Sequence, residues 1–312
     1  MKKVFIDGSA GTTGLRIYER LRQRKDVSLI ILPDDRRKDD RYRKEALFEA
    51  DVAFLCLPDD AARQAVALAS GSECAIIDTS TAHRTNDLWA YGFPELKGQR
   101  EKIKNSSRIA NPGCHASGFT ALIAPLVSEG ALSPDAKISC TSLTGYSGGG
   151  KKMIAQYEAE DRSALLSAPR LYGLTQTHKH LPEMKKLCGL ENYPVFSPIV
   201  ADFYSGMQTV IPLFAGDING GIDAIKEIYT DYYKTGLVRF RENADENGFL
   251  SAGAFSGRDD MELSVFGNGE RITLTARFDN LGKGASGAAI QNMNILLGED
   301  EKTGLNVWEE EI

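Results

Sequence analysis

Val4-Phe5-Ile6-Asp7-Gly8-Ser9-Ala10-Gly11-Thr12-Thr13-Gly14 opens the chain with an apolar strand, a glycine turn and the start of a helical pattern that runs through Leu15, Ile17, Tyr18 and Leu21. Strand, glycine turn and helix in that order are the setting a dinucleotide fingerprint requires. The spacing is G-x-x-G-x-x-G, not the commoner G-x-G-x-x-G. Gly8 makes the turn, Gly11 lets backbone approach a pyrophosphate, and Gly14 lets the helix pack on the strand. Helix N-terminal N–H groups bind phosphates, so Ser9, Thr12 and Thr13 join the three glycines as cofactor candidates.

Outward from that unit the grammar repeats. Apolar strands are read at residues 27–32, 51–58, 74–78 and 108–110, with a helix over 61–69. Alternating strands and helices imply a parallel sheet with right-handed crossovers. Pro33-Asp34-Asp35-Arg36-Arg37-Lys38 follows the second strand. An acid there suits a cofactor without the 2′-phosphate, and arginine suits the phosphorylated one. Arg36 and Arg37 favour the second, against Asp34 and Asp35. Ser80 and Arg84 follow the strand at 74–78, at the mouth of such a sheet, and are candidate ligand contacts.

Asn111-Pro112-Gly113-Cys114 leads into a helical pattern of small and apolar residues from His115 to Leu126. Pro112 holds Asn111 extended, which puts Cys114 at a helix start, where N–H groups and the helix dipole favour a thiolate. Beyond it, period-two strands are read at 137–144, 195–200, 207–213 and 271–278, with one amphipathic helix over 222–232. Thr144 to Lys152 is a glycine-rich loop in which Ser147 and Gly148–Gly150 offer an anion nest. His178-Lys179-His180-Leu181-Pro182-Glu183 holds two of the four histidines. If that segment is extended, His178 and His180 share a face and can serve a cysteine nucleophile.

These readings combine into an α/β chain. A Rossmann-type parallel-sheet domain over residues 1–113 is joined by 285–312, which packs back on it. Residues 114–284 form an α+β catalytic and substrate domain with a mainly antiparallel sheet. Cys114 is expected at the boundary, in the cleft between them. The acidic end Glu309-Glu310-Glu311 is expected to be a solvated tail.

Bulk properties narrow the function. At 312 residues, 42% hydrophobic and net charge −6, the chain has a core but no basic footprint for nucleic acid or an anionic membrane. No run of about 18 apolar residues signals a membrane span. The five cysteines are scattered without metal-ligand spacing, so no metal site and a reducing cytoplasm are expected.

The motifs Gly8–Gly14, Asn111-Pro112-Gly113-Cys114, His178-Lys179-His180-Leu181-Pro182-Glu183 and Asp279-Asn280-Leu281 with Lys283-Gly284-Ala285 give the chain a resemblance to the N-acetyl-gamma-glutamyl-phosphate reductases of arginine biosynthesis, in their short form. His115, where the long form typically has tyrosine, fits the short form. The resemblance implies an NADP(H)-dependent oxidoreductase acting on a small acyl phosphate, assembled as a homodimer or homotetramer. It gives Cys114 the role of nucleophile and His180 that of acid/base, with His178 the alternative. By the same likeness Asn280 joins the cofactor set, and Asn111 the substrate set with Ser80, Arg84, Ser147 and Gly148. Two other readings stay open. One is a sister phosphorylating semialdehyde dehydrogenase acting on aspartyl or carrier-linked amino-adipyl phosphate. The other is a non-catalytic dinucleotide-binding redox sensor.

Overall fold

The computed structural model describes residues 1–308; the acidic tail lies outside them. Two compact units are present. The first comprises residues 1–94, 98–112 and 285–305, and the second residues 95–97, 113–284 and 306–308.

In the first unit, strands β1 (Lys2–Asp7), β2 (Val27–Ile30), β3 (Val52–Leu55), β4 (Ala75–Asp78), β5 (Ala90–Tyr91) and β6 (Arg108–Ala110) form one sheet. Its order is β2-β1-β3-β4-β6-β5, and every pairing is parallel. Helices α1 (Thr12–Leu21), α2 (Asp40–Glu49), α3 (Asp59–Leu68) and α4 (Gln99–Lys104) connect the strands. The strand period of two sorts the core into two layers. Val4, Ile6, Val52 and Phe54 pack with Ile17 and Leu21 of α1, whereas Phe5, Ala53 and Leu55 pack with Ala46, Leu47, Ala62 and Ala65 of α2 and α3. Burial on both faces is why β3 reads as an unbroken apolar run and β4 as one up to Asp78.

The second unit begins with α5 (Cys114–Ser128) and β7 (Ser139–Gly145). It continues with α6 (Gly150–Glu158), β8 (Arg170–Leu171), α7 (Leu181–Leu187), β9 (Val195–Ala201), β10 (Met207–Phe214), α8 (Gly221–Tyr232), β11 (Val238–Phe240), β12 (Met261–Gly267) and β13 (Arg271–Phe278). The strands form a sheet of order β11-β12-β13-β10-β7-β9-β8. The β7–β9 and β11–β12 pairings are parallel and the others antiparallel. Helix α5 is buried from His115 to Leu126 and packs on β10 and β13. Gly118 makes that contact possible, since a Cβ there would run into Thr209 and Phe278. The hydroxyls of Tyr229 and Tyr233 on α8 and just beyond it donate to the Leu122 and Ala121 carbonyls of α5 at 2.5 and 2.7 Å. The opposite sheet face is open: Val195, Pro212 and Phe214 are exposed, and Leu143, Ile199 and Val210 are half-buried.

The last helix, α9 (Gly287–Leu297), belongs to the first unit, where Ile290 and Met293 join the layer of α1. The return to the first unit ends sooner than the sequence suggests. Residues 306–308 bind the second unit, where Asn306 donates its N–H to Asp259 at 2.8 Å and Trp308 donates its N–H to Asp260 at 2.7 Å. Among the described residues no helix is long and apolar enough to cross a membrane.

Candidate active site

Cys114 is the first residue of α5, and Gly113 is its extended cap. The cap N–H donates to the buried carboxylate of Glu183 at 2.9 Å. Gly284 abuts Cys114 from the other side: a Cβ on Gly284 would lie 3.0 Å from the Cys114 Cβ. Cys114 itself is half-buried. Burial pushes the thiols of Cys56, Cys74 and Cys188 up to about 12 and raises Cys140 further, so none of these four is a thiolate near neutrality.

Three histidines gather beside this helix start. His115 follows Cys114 directly, and its ring centroid lies 5.6 Å from that of His178 and 5.7 Å from that of His180. The His178 and His180 rings meet edge to face at 4.7 Å. They converge by a route other than the extended one expected. His180 has helical backbone as the cap of α7, and its N–H donates to His178 Nδ1 at 3.2 Å. Pro182 in the first turn of α7 suits a helix start, and the turn doubles the chain back so that both rings face His115.

Local chemistry separates the three. His115 Nδ1 bonds Ser142 Oγ at 2.8 Å and its Nε2 bonds the Tyr172 hydroxyl at 2.6 Å. Burial, then the charge of His178, lowers its pKa to about 3, so it is neutral and both nitrogens are engaged. Burial, then Lys179, lowers His178 to about 4. A neutral His178 whose Nδ1 accepts carries its hydrogen on Nε2, which makes Nε2 a donor. His180 is buried. The Tyr172 hydroxyl is raised above the usual phenol range by burial and then by the charge of Cys114.

The first unit holds the glycine turn. Gly8 has φ +88°, and a Cβ there would strike the Cys56 carbonyl; one on Gly14 would strike the Gly8 carbonyl. Gly11 caps α1, its N–H donating to the Gly8 carbonyl at 3.0 Å; a Cβ on it would meet the Gly8 carbonyl oxygen at 3.4 Å, an ordinary contact distance. Gly8, Ser9 and Gly11 line a cavity of about 530 Å³ that reaches Asp34, Arg37 and Lys38. An apolar-walled cavity over a turn that only glycine can make fits a dinucleotide. Thr12 and Thr13 form the first turn of α1. Arg37 pairs with Asp34 at 3.1 Å, whereas the Arg36 guanidinium lies 4.7 Å over the Tyr42 ring and Arg36 does not line the cavity.

Other candidates turn out to be engaged within their own units. Ser80 Oγ donates to Asp78 at 2.8 Å, and the same carboxylate oxygen bonds His83 Nδ1 at 2.6 Å. Arg84 Nε donates to the Asn111 carbonyl and its Nη2 to the Thr79 carbonyl, each at 2.9 Å. Asn111, 1% exposed, donates to the Ala285 carbonyl and accepts from Asn292. The Asn280 amide donates to Ser147 Oγ at 3.0 Å and accepts the Gly206 N–H at 2.9 Å, and Gly148 is exposed beside it. Sequence reasoning gave no role to Glu183, Tyr172 or His115. An acid three residues after His180 was a signal for the first and the place next to Cys114 for the third; Tyr172 carries none. Among the described residues no group of three or more His, Cys, Asp or Glu side chains is disposed to hold a metal ion.

Family models match nearly the whole chain. The semialdehyde dehydrogenase NAD binding domain covers residues 3–106, and the semialdehyde dehydrogenase dimerisation domain covers residues 114–280. N-acetyl-gamma-glutamyl-phosphate reductase 2 of Nostoc sp. is 44% identical, over 97% of this chain and 99% of its own. The chain belongs to the N-acetyl-gamma-glutamyl-phosphate reductase family of semialdehyde dehydrogenases. A second member of that family, from Sinorhizobium medicae, is 45% identical over 95% of this chain and 98% of its own. Solved aspartate semialdehyde dehydrogenases share the fold. The one from Francisella tularensis superposes with a TM-score of 0.71 at 16% identity, over 95% of this chain and 100% of its own. The Vibrio cholerae enzyme II, complexed with ASA, gives 0.69 at 15%, over 96% and 98%. Membership of this reductase family makes the chain an oxidoreductase that uses a nicotinamide dinucleotide.

Proposed function

We infer that this protein reduces N-acetyl-gamma-glutamyl phosphate to N-acetylglutamate 5-semialdehyde with release of phosphate, using NADPH. The observation that carries the reading is the start of α5, where His115, the residue after Cys114, packs its ring against those of His178 and His180, in a chain of this family. His180 takes the thiol proton. The Cys114 sulfur then attacks the acyl carbon, forming a thioester as the C–O bond to phosphate breaks, and the proton on His180 leaves with the phosphate. The Nε2–H of His178 donates to the acyl oxygen, where negative charge develops. When bound, the nicotinamide supplies the hydride that reduces the thioester. Collapse of the resulting oxyanion breaks the C–S bond, frees the aldehyde and returns the thiolate to Cys114.

For the cofactor, Gly8, Ser9, Gly11, Thr12, Thr13 and Gly14 hold the pyrophosphate, and Arg37 is the better placed of the two arginines for a 2′-phosphate. For the leaving phosphate the group is either Arg84, with Asn111, in the first unit or the Gly148–Gly150 turn, with Ser147, in the second. Cysteines that form no disulfide among the described residues suit a cytoplasmic enzyme. The open face of the second sheet, with Val210, Pro212 and Phe214, suits a second copy of the chain in a homodimer or homotetramer; sedimentation of Val210→Glu reads this.

The test of the substrate is phosphate-dependent NADP+ reduction with N-acetylglutamate semialdehyde, aspartate semialdehyde and glyceraldehyde-3-phosphate side by side. The first is preferred by more than about tenfold, or about 1.4 kcal/mol in transition-state binding. Faster turnover of either other aldehyde overturns this substrate and leaves the Cys114 chemistry standing.

A further inference from the structure

The turn that brings Gly284 against Cys114 is held by charges that the reaction does not use. Lys283 Nζ donates to both carboxylate oxygens of Glu95 at 2.8 Å, and both side chains are fully buried. Glu95 also accepts the Leu237 N–H at 2.9 Å. Lys283 lies in a single π-helical turn, Gly282–Ser286, a local distortion that is uncommon and concentrated at functional sites. The preceding residues are fastened as well. Asp279 accepts the N–H groups of Leu281 and Gly257, and Asn280 bridges Ser147 and Gly206. Gly284 closes the turn, its N–H donating to the Asp279 carbonyl at 3.0 Å.

A buried ion pair of this kind is weak evidence for stability, because desolvation offsets its attraction, and its best-attested use is to fix register. The register fixed here is the distance between Gly284 and Cys114. We infer that Lys283 and Glu95 are positioning residues for Cys114, acting through Gly284. The inference rests on reading Cys114 as the nucleophile, but it concerns where the thiol stands. A lysine ammonium on a fixed carboxylate holds the turn in place, and the missing Cβ at Gly284 leaves the thiol its working rotamer.

The experiment compares Gly284→Ala, the charge-free pair Lys283→Met with Glu95→Leu, and all three changes together, in the full-length protein. The readouts are the rate of Cys114 alkylation by iodoacetamide across pH, kcat, melting temperature and NADP+ affinity. Gly284→Ala slows alkylation and kcat at least tenfold with melting temperature and cofactor affinity unchanged. The charge-free pair melts near the parent yet shows the same loss, and the triple variant is little worse than either. Parent-like alkylation in Gly284→Ala overturns the proposal. So does a charge-free pair whose rates follow its melting temperature, or losses that multiply in the triple variant. Turnover by Cys114→Ser judges the nucleophile reading separately, since alkylation reports the thiol's placement whichever way that result falls.

Discussion

The buried carboxylate of Glu183 accepts the backbone N–H of Gly113 at 2.9 Å, one residue before Cys114 at the start of α5. An anion already sits at the positive end of this helix, so the dipole does less to acidify the thiol than a bare helix start would. The thiol therefore depends on a base. Glu183→Gln keeps an acceptor for Gly113 and removes the charge. Alkylation of Cys114 at pH 6 should rise about two- to fivefold, the range of helix-terminus charge effects, and its pH midpoint should move down. An unchanged midpoint would show that the helix end does not sense this group.

The tautomer of His178 divides the work between the two histidines. His180→Asn should lower kcat by about 10²–10⁴, the usual range for acid–base help, with little change in cofactor affinity. His178→Asn should cost less and should not move the acid limb of the pH–rate profile. The reverse ranking assigns the proton to His178.

For cofactor choice the cavity singles out Arg37. Arg37→Ala should cut kcat/KM for NADPH by about tenfold or more, as loss of a charge-assisted contact does, and leave NADH unaffected. Arg36→Ala should do little, because Arg36 is held over Tyr42. Equal use of both cofactors by the unmodified enzyme contradicts the assignment.

Acid should weaken the fold through His115. Its folded pKa, about 3, lies below the ordinary histidine value, so the unfolded chain binds the extra proton between about pH 6.5 and 3. Stability is thus full above that window and falls as pH drops through it. Urea unfolding of His115→Gln should lose about 1.4 kcal/mol per pH unit less than the parent there. Parallel pH slopes for the two proteins would place the acid sensitivity elsewhere.

The parts of the fold that sequence shows best are those with one period and one environment. β1 and β3 announce themselves because both faces are apolar, and α5 because it is buried all round. Helix α2 was not visible: Asp40-Arg41-Tyr42-Arg43-Lys44-Glu45 is almost wholly charged, and its hold on the unit includes a buried Arg43–Asp7 pair at 2.8 Å that no periodicity encodes. Strand β12 was missed for a similar reason. Glu262 and Ser264 look like a solvent face, yet both are buried, and Glu262 binds Arg277 at 2.7 Å. At the site, local motifs located the cysteine at the start of α5 and the histidine pair. What they touch was set by residues far off in sequence, as with Glu183 on Gly113 and Tyr172 on His115.

The central claim is that Cys114 carries the acyl group. Mixing the enzyme with N-acetylglutamate semialdehyde and NADP+ without phosphate should give one burst of NADPH equal to the enzyme sites. Peptide mass mapping should then place an N-acetylglutamyl adduct on Cys114 alone, with neither burst nor adduct in Cys114→Ser. An adduct on another residue, or a full burst from Cys114→Ser, would contradict it.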